Sequence, residues 1–180
     1  RQLFVGTSLA CAAGAMLYGG MVALFLRFRH EALVIPGGEW KPAVSKVPEV
    51  ATNTMLISFL AALIFAQWAV YAARRGYRSH TAMALALVAL VGIAIVNAQA
   101  FVYHQMRLGI ASGTYEMFFY TLTGTFVALM IVGIVFTLVA SFRFLGGRVN
   151  DREIVTAHAM YWYFLSAVYI ALWFVVYVTK

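Results

Sequence analysis

Five apolar runs, each long enough to cross a bilayer, follow one another along the chain, broken by one long polar segment and three short ones. They cover about residues 3–28, 51–73, 81–106, 115–142 and 157–178. A helix needs roughly 20 residues to traverse the hydrocarbon, whereas a membrane strand shows about ten residues of alternating polarity. The runs are continuous rather than alternating, so each is expected to be a helix that satisfies its own backbone hydrogen bonds in lipid. The expected fold is all-α, one polytopic membrane bundle of five transmembrane helices forming a single domain over residues 1–180.

The breaks between the runs have physical causes. Arg27, Arg29 and His30 close the first run, and all three prolines, Pro36, Pro42 and Pro48, fall within 29–50. Proline blocks helix continuation and Pro36-Gly37-Gly38 is a turn signal, so this segment reads as an irregular external loop, with Trp40 available to dip into the interface. A loop of this length is also a candidate docking surface. Arg74-Arg75-Gly76 ends the second run, and Ser79 is expected to cap the third helix. Asn150 followed by Glu153 has the spacing of a capping box, which starts the fifth helix at Asn150, before it meets lipid near Ala157. Gly6, Ala10 and Gly14, with Ala15 and Gly19, leave one face of the first helix nearly bare, and Gly124 with Ala128 repeats this in the fourth. Small residues at that spacing serve close helix packing, either inside the bundle or against another subunit.

Composition fixes the class. The chain is 64% hydrophobic and only 11% charged, about half the charged share of an ordinary soluble domain. The formal charge of +7 arises from cations scattered through the connections, which suits membrane anchoring and topology better than nucleic acid. The links 74–80 and 143–156 carry six Arg between them, against one in the turn around Arg107. The positive-inside rule then places the N-terminus in the cytoplasm and the C-terminus outside. Cys11 stands alone and makes no internal disulfide, and the first run, long and without a small-residue cleavage site, reads as a retained helix.

Candidate chemistry concentrates between Asn97 and Gly124, where amides, rings, His104 and Glu116 crowd a turn between two apolar runs. Such a belt is expected at a membrane surface. A metal site in a bundle needs two or more ligands at one depth. His30 and His104 fall at the outer helix ends and His80 and His158 at the inner ends, so no pair meets at mid-membrane. No acid lies in the middle of a run, although proton-moving proteins usually keep one there. Glu116, in the first turn of the fourth run, suits a helix N-terminus, and Gln67 needs a partner on a neighbouring helix. The expectation is a catalytically silent chain, with no catalytic, cofactor or metal residue of its own.

Several short words in the chain carry a resemblance: Asn53-Thr54, Gln67-Trp68-Ala69, Ala72-Ala73-Arg74-Arg75-Gly76, Gln99-Ala100-Phe101-Val102-Tyr103, Phe118-Phe119-Tyr120-Thr121-Leu122-Thr123-Gly124 and Tyr161-Trp162-Tyr163-Phe164. Gly37-Gly38-Glu39-Trp40-Lys41-Pro42 adds a glycine-tryptophan-proline loop. Together they resemble subunit III of the haem-copper (cytochrome c) oxidases, in the bacterial five-helix form that lacks the first two helices of the seven-helix version. The chain diverges where that family usually places ionisable groups: Gly14, Phe126, Leu129, Tyr163 and Ser166 stand there instead.

The resemblance implies a non-catalytic subunit of a respiratory oxidase that reduces oxygen to water in the bacterial inner membrane. It implies packing beside subunit I, with subunit II in the same complex, haem and copper held by those partners, and phospholipid bound between the helices. The matched positions expected to line such a lipid or subunit contact are Trp68, Tyr103, His104, Phe119, Tyr120 and Trp162, with Glu116 as a partner contact. Arg74, Arg75 and Arg78 suit anionic headgroups. Two other readings compete: a related accessory protein of a nitric oxide reductase, and a small independent transporter. The lack of intramembrane charge and of an inverted repeat argues against the transporter.

Overall fold

The computed structural model describes residues 2–42, 47–109, 112–146 and 152–179. Its elements are α1 (Gln2–Val34), α2 (Glu49–Arg74), α3 (Arg78–Met106), α4 (Thr114–Leu145) and α5 (Arg152–Leu172), the last continuing as a π-helical turn over Trp173–Val178. All five are long and apolar enough to cross a membrane, and no strand occurs among the described residues.

Local chemistry explains where the helices stop. α1 runs past the expected close at Phe28, because Arg27 and Glu31 form an i,i+4 ion pair at 2.9 Å on its solvent side and the next breaker comes only at Pro36. Gly37 then takes φ +77°, a left-handed conformation that glycine adopts at no steric cost. α2 ends in a Schellman motif, with Tyr77 N donating to Ala72 O at 3.0 Å and Gly76 N to Ala73 O at 3.1 Å around Gly76 at φ +78°. α3 begins one turn earlier than its apolar run. Tyr77, not Ser79, occupies the capping position, and the Thr81 hydroxyl donates to Tyr77 O at 2.9 Å. The Asn150 cap lies outside the described residues. Glu153, in the first turn of α5, accepts a hydrogen bond from Phe4 N at 3.0 Å and so ties the start of α1 to the start of α5.

α5 is the hub. It packs against α1, α2 and α4, while α3 sits between α2 and α4. α1 is peripheral and buries only Tyr18 and Phe25. Rings and branched chains from α5 fit where glycines open the facing helices. A Cβ on Gly92 of α3 would lie 2.8 Å from the Trp162 ring, one on Gly133 of α4 2.8 Å from Leu165, and one on Gly14 of α1 2.8 Å from Phe164. Close approach of this kind is the main source of packing energy between helices in lipid. The small-residue face of α1 therefore divides: Gly14 packs inside the bundle, while Gly6 and Gly19 meet nothing, as does Gly124 of α4.

Candidate functional site

Polar side chains inside the bundle join helix to helix. Thr137 of α4 is the best satisfied of them. Its hydroxyl donates to Gly133 O at 2.8 Å and accepts the indole N–H of Trp162 at 3.1 Å, with His158 Nε2 at 2.7 Å. A hydroxyl has one proton to give. With that proton on Gly133, His158 is the donor, which fixes its Nε2–H tautomer. Nδ1 is then a bare acceptor, buried and with no partner among the described residues. His158 lies in the second turn of α5, at the helix end where the sequence places it, and is wholly enclosed between α4 and α5, beside the Phe136 and Trp162 rings.

Further ties hold α5 to α2. Tyr169 OH donates to Thr52 O at 2.8 Å, Trp173 Nε1 to Asn53 Oδ1 at 2.9 Å, and Tyr163 OH to Gln67 Oε1 at 3.2 Å. The last supplies the interhelical partner that the Gln67 amide requires. In the π-helical turn, Tyr177 meets Gln99 of α3 at 3.4 Å. Between α3 and α4, Tyr103 OH donates to Thr123 Oγ1 at 2.9 Å, and Tyr120 OH donates to Leu108 O at 2.8 Å.

The positions that diverge from the resembled family are occupied by packing groups. Phe126 lies between Phe59 and Tyr169, with centroids at 6.0 and 5.2 Å. Ser166 donates back to Trp162 O at 2.9 Å, Tyr163 binds Gln67, and Gly14 admits the Phe164 ring.

The expected contact residues fall into three groups. Phe119 and Trp162 are fully buried within the chain, and Glu116 is 6% exposed in the first turn of α4, without a side-chain capping bond. Trp68, Tyr103 and Tyr120 are half-buried, Trp68 facing the His80 ring at 6.0 Å. His104, Arg74, Arg75 and Arg78 are exposed, and the Arg75 guanidinium lies 4.3 Å over the Tyr71 ring. Arg74 shares a cavity of about 520 Å³ with Phe4, Val5, Arg152 and Thr156. Among the described residues no three His, Cys, Asp or Glu side chains converge in a way that would hold a metal.

Sequence reasoning missed a second cluster. Trp40 is packed against the protein rather than free, buried at 7% exposure among Phe25, Tyr115 and Phe118, edge-on to Phe25 at 5.2 Å and to Tyr115 at 5.7 Å. These rings pin the long loop to α1 and α4. Beside them opens a cavity of about 470 Å³ between the end of α1, the loop and the start of α4, lined in part by Glu31, Glu39 and Glu116.

The profile of the family described as "Cytochrome c oxidase subunit III" matches residues 3–180. A "Probable cytochrome c oxidase subunit 3" of Rickettsia felis is 28% identical over 191 residues, covering 99% of this chain and 69% of that protein. The "Cytochrome c oxidase subunit 3" of Corynebacterium diphtheriae is 26% identical over 182 residues, covering 98% of this chain and 88% of its own length. That of Syncerus caffer is 29% identical over 164 residues, 85% of this chain and 61% of the relative. With five membrane helices and a family match over nearly its whole length, this membrane protein belongs to the cytochrome c oxidase subunit III family.

Proposed function

We propose that the chain is a non-catalytic structural subunit of a respiratory haem-copper terminal oxidase, seated beside subunit I and close to subunit II and holding phospholipid against its helices. One observation carries this reading: the polar groups of the bundle interior bond one helix to another, in seams such as Thr137 with Trp162 and His158, and Tyr169 with Thr52. Groups so engaged hold helices together. Haem, copper and the oxygen chemistry then belong to the partner subunits.

The outer surface supports a bracing role. α1 exposes Leu9, Met16 and Leu17 at 67%, 80% and 63%, an apolar flank that lipid or a neighbouring subunit covers in the membrane. The exposed Arg74, Arg75 and Arg78 at the opposite end from the long loop suit anionic headgroups, each worth about 1 kcal/mol near a charged surface. The proposed contact surface comprises these arginines with Trp68, Tyr103, His104 and Tyr120. Phe119 and Trp162 support it from within.

Purification in mild detergent tests the proposal. The chain is expected to co-migrate with a haem-containing polytopic partner in a complex that consumes oxygen. A haem-free homo-oligomer overturns it. The packing groups at Gly14, Phe126, Tyr163 and Ser166, where ionisable ones were expected, favour a second reading as a nitric oxide reductase accessory protein. A co-migrating complex that consumes nitric oxide and not oxygen selects it.

A further inference from the structure

Three of the six acids in a chain of net charge +7, Glu31, Glu39 and Glu116, line the one cavity of about 470 Å³ beside Trp40. Lys41 is the cation among its lining residues. Glu31 is paired with Arg27, but no hydrogen bond or ion pair reaches Glu39 or Glu116 among the described residues. Glu116 is 94% enclosed as a residue and lines this cavity, so a cation that enters meets a carboxylate with little water around it. The Trp40 indole N–H and the Tyr115 hydroxyl also lack partners among the described residues, but both are fully enclosed behind the wall and do not open onto the cavity. An occupant that answers the carboxylates carries a positive charge.

The shape of the site narrows the class. Among the described residues no three carboxylates converge closely enough for one metal ion, and the wall is aromatic, with Trp40 and Tyr115 nearly perpendicular at 88°. Ring faces beside carboxylates favour a soft organic cation, a guanidinium above all. The rim comes from loop residues, Glu39, Lys41, Pro42, Ser112 and Gly113, and not from the lipid-facing helix flanks, so the occupant arrives from the aqueous side.

We infer that this pocket receives a basic loop of a neighbouring subunit, an arginine or lysine side chain entering between Glu39 and Glu116 against the aromatic wall. The inference rests on the accessory-subunit reading above. It gives the long loop a function: the ring cluster around Trp40 holds the pocket open before the partner arrives, which lowers the ordering cost of docking.

The complex purified from membranes is titrated with KCl in mild detergent, and the concentration that releases half of this chain is measured. Glu39→Gln combined with Glu116→Gln is expected to lower that concentration at least twofold, with Glu49→Gln, at the same end of the bundle but outside the pocket, unchanged. Glu39 is exposed, so Glu39→Gln alone gives a smaller shift in the same direction even if the buried Glu116 variant does not fold. A photoreactive phenylalanine at position 39 is expected to capture a peptide of another subunit containing Arg or Lys. An unchanged release midpoint with the complex intact overturns the pocket while sparing the accessory-subunit reading, as does capture of lipid alone. Absence of any co-migrating polypeptide overturns both.

Discussion

At the residue scale, Thr137 shows what a polar group in a lipid-embedded bundle is for. Its hydroxyl takes two donors from α5 and gives its proton to its own helix, so it has no capacity left. Thr137→Val keeps the shape and strands the Trp162 and His158 donors, at a cost of about 1–2 kcal/mol for interhelical hydrogen bonds in membranes. Reversible unfolding in mixed micelles should register that loss, and Thr137→Ser should restore most of it; equal stability of the Val and Ser variants would show that the hydroxyl contributes packing only. Gly92 makes the complementary case through volume. Gly92→Val would drive two methyls into the Trp162 ring, 2.8 Å from the Cβ position, and Ile134, 3.1 Å away. Overpacking costs about 1–3 kcal/mol, so a lower thermal midpoint than wild type is expected, and Gly6→Val, which meets nothing, should leave the isolated chain unaffected. Neither partnership was legible in the sequence. Thr137 and His158 lie on different helices joined by a link, and no periodicity within either run announces that they meet.

At the scale of elements, what the sequence shows plainly is what depends on lipid. Each apolar run became a helix because no other structure satisfies the backbone there. The ends were harder, since apolarity ends at the membrane surface while hydrogen bonding does not: α1 continues to Val34 on the strength of an exposed ion pair, and α3 starts at Arg78. Rank among the helices was hidden too. Trp162 reads from the sequence as a lipid or subunit contact, yet it is fully buried, as is Tyr169, because aromatic residues serve both places and only tertiary contacts separate them. Gly76 is the position where an end is chemically sharp. Alanine there must adopt φ +78°, which costs about 1 kcal/mol, and it frays the 72–77 hydrogen bonds that turn the chain into α3. Gly76→Ala is expected to accelerate amide exchange at Gly76 and Tyr77, while Gly76→Asn, which tolerates the left-handed region better, should exchange more slowly than the alanine variant.

For the whole molecule, the two ends of the bundle differ in kind. The end formed by the C-termini of α2 and α4 carries Arg74, Arg75, Arg78, Arg143 and Arg152 on short links. The other end carries the long loop and the aromatic cluster, where Arg27, Arg29, Lys41 and Arg107 are interspersed with Glu31, Glu39, Glu49 and Glu116. Cations on short links resist translocation, so the arginine end is expected in the cytoplasm and the ring-walled pocket outside, facing whichever loops of the partner reach the same surface. Single cysteines decide this in a Cys11→Ser background. Ser79 and Ser112 are both exposed, one at each end, and neither belongs to a packed seam. In intact spheroplasts a membrane-impermeant maleimide should label Ser112→Cys and leave Ser79→Cys unmodified until the membrane is opened. The reverse pattern would put the arginines outside and the acidic pocket in the cytoplasm. In that case the aqueous partner of Glu39 and Glu116 would have to be sought among cytoplasmic loops, and the arginine end could not meet the inner leaflet's anionic headgroups at all.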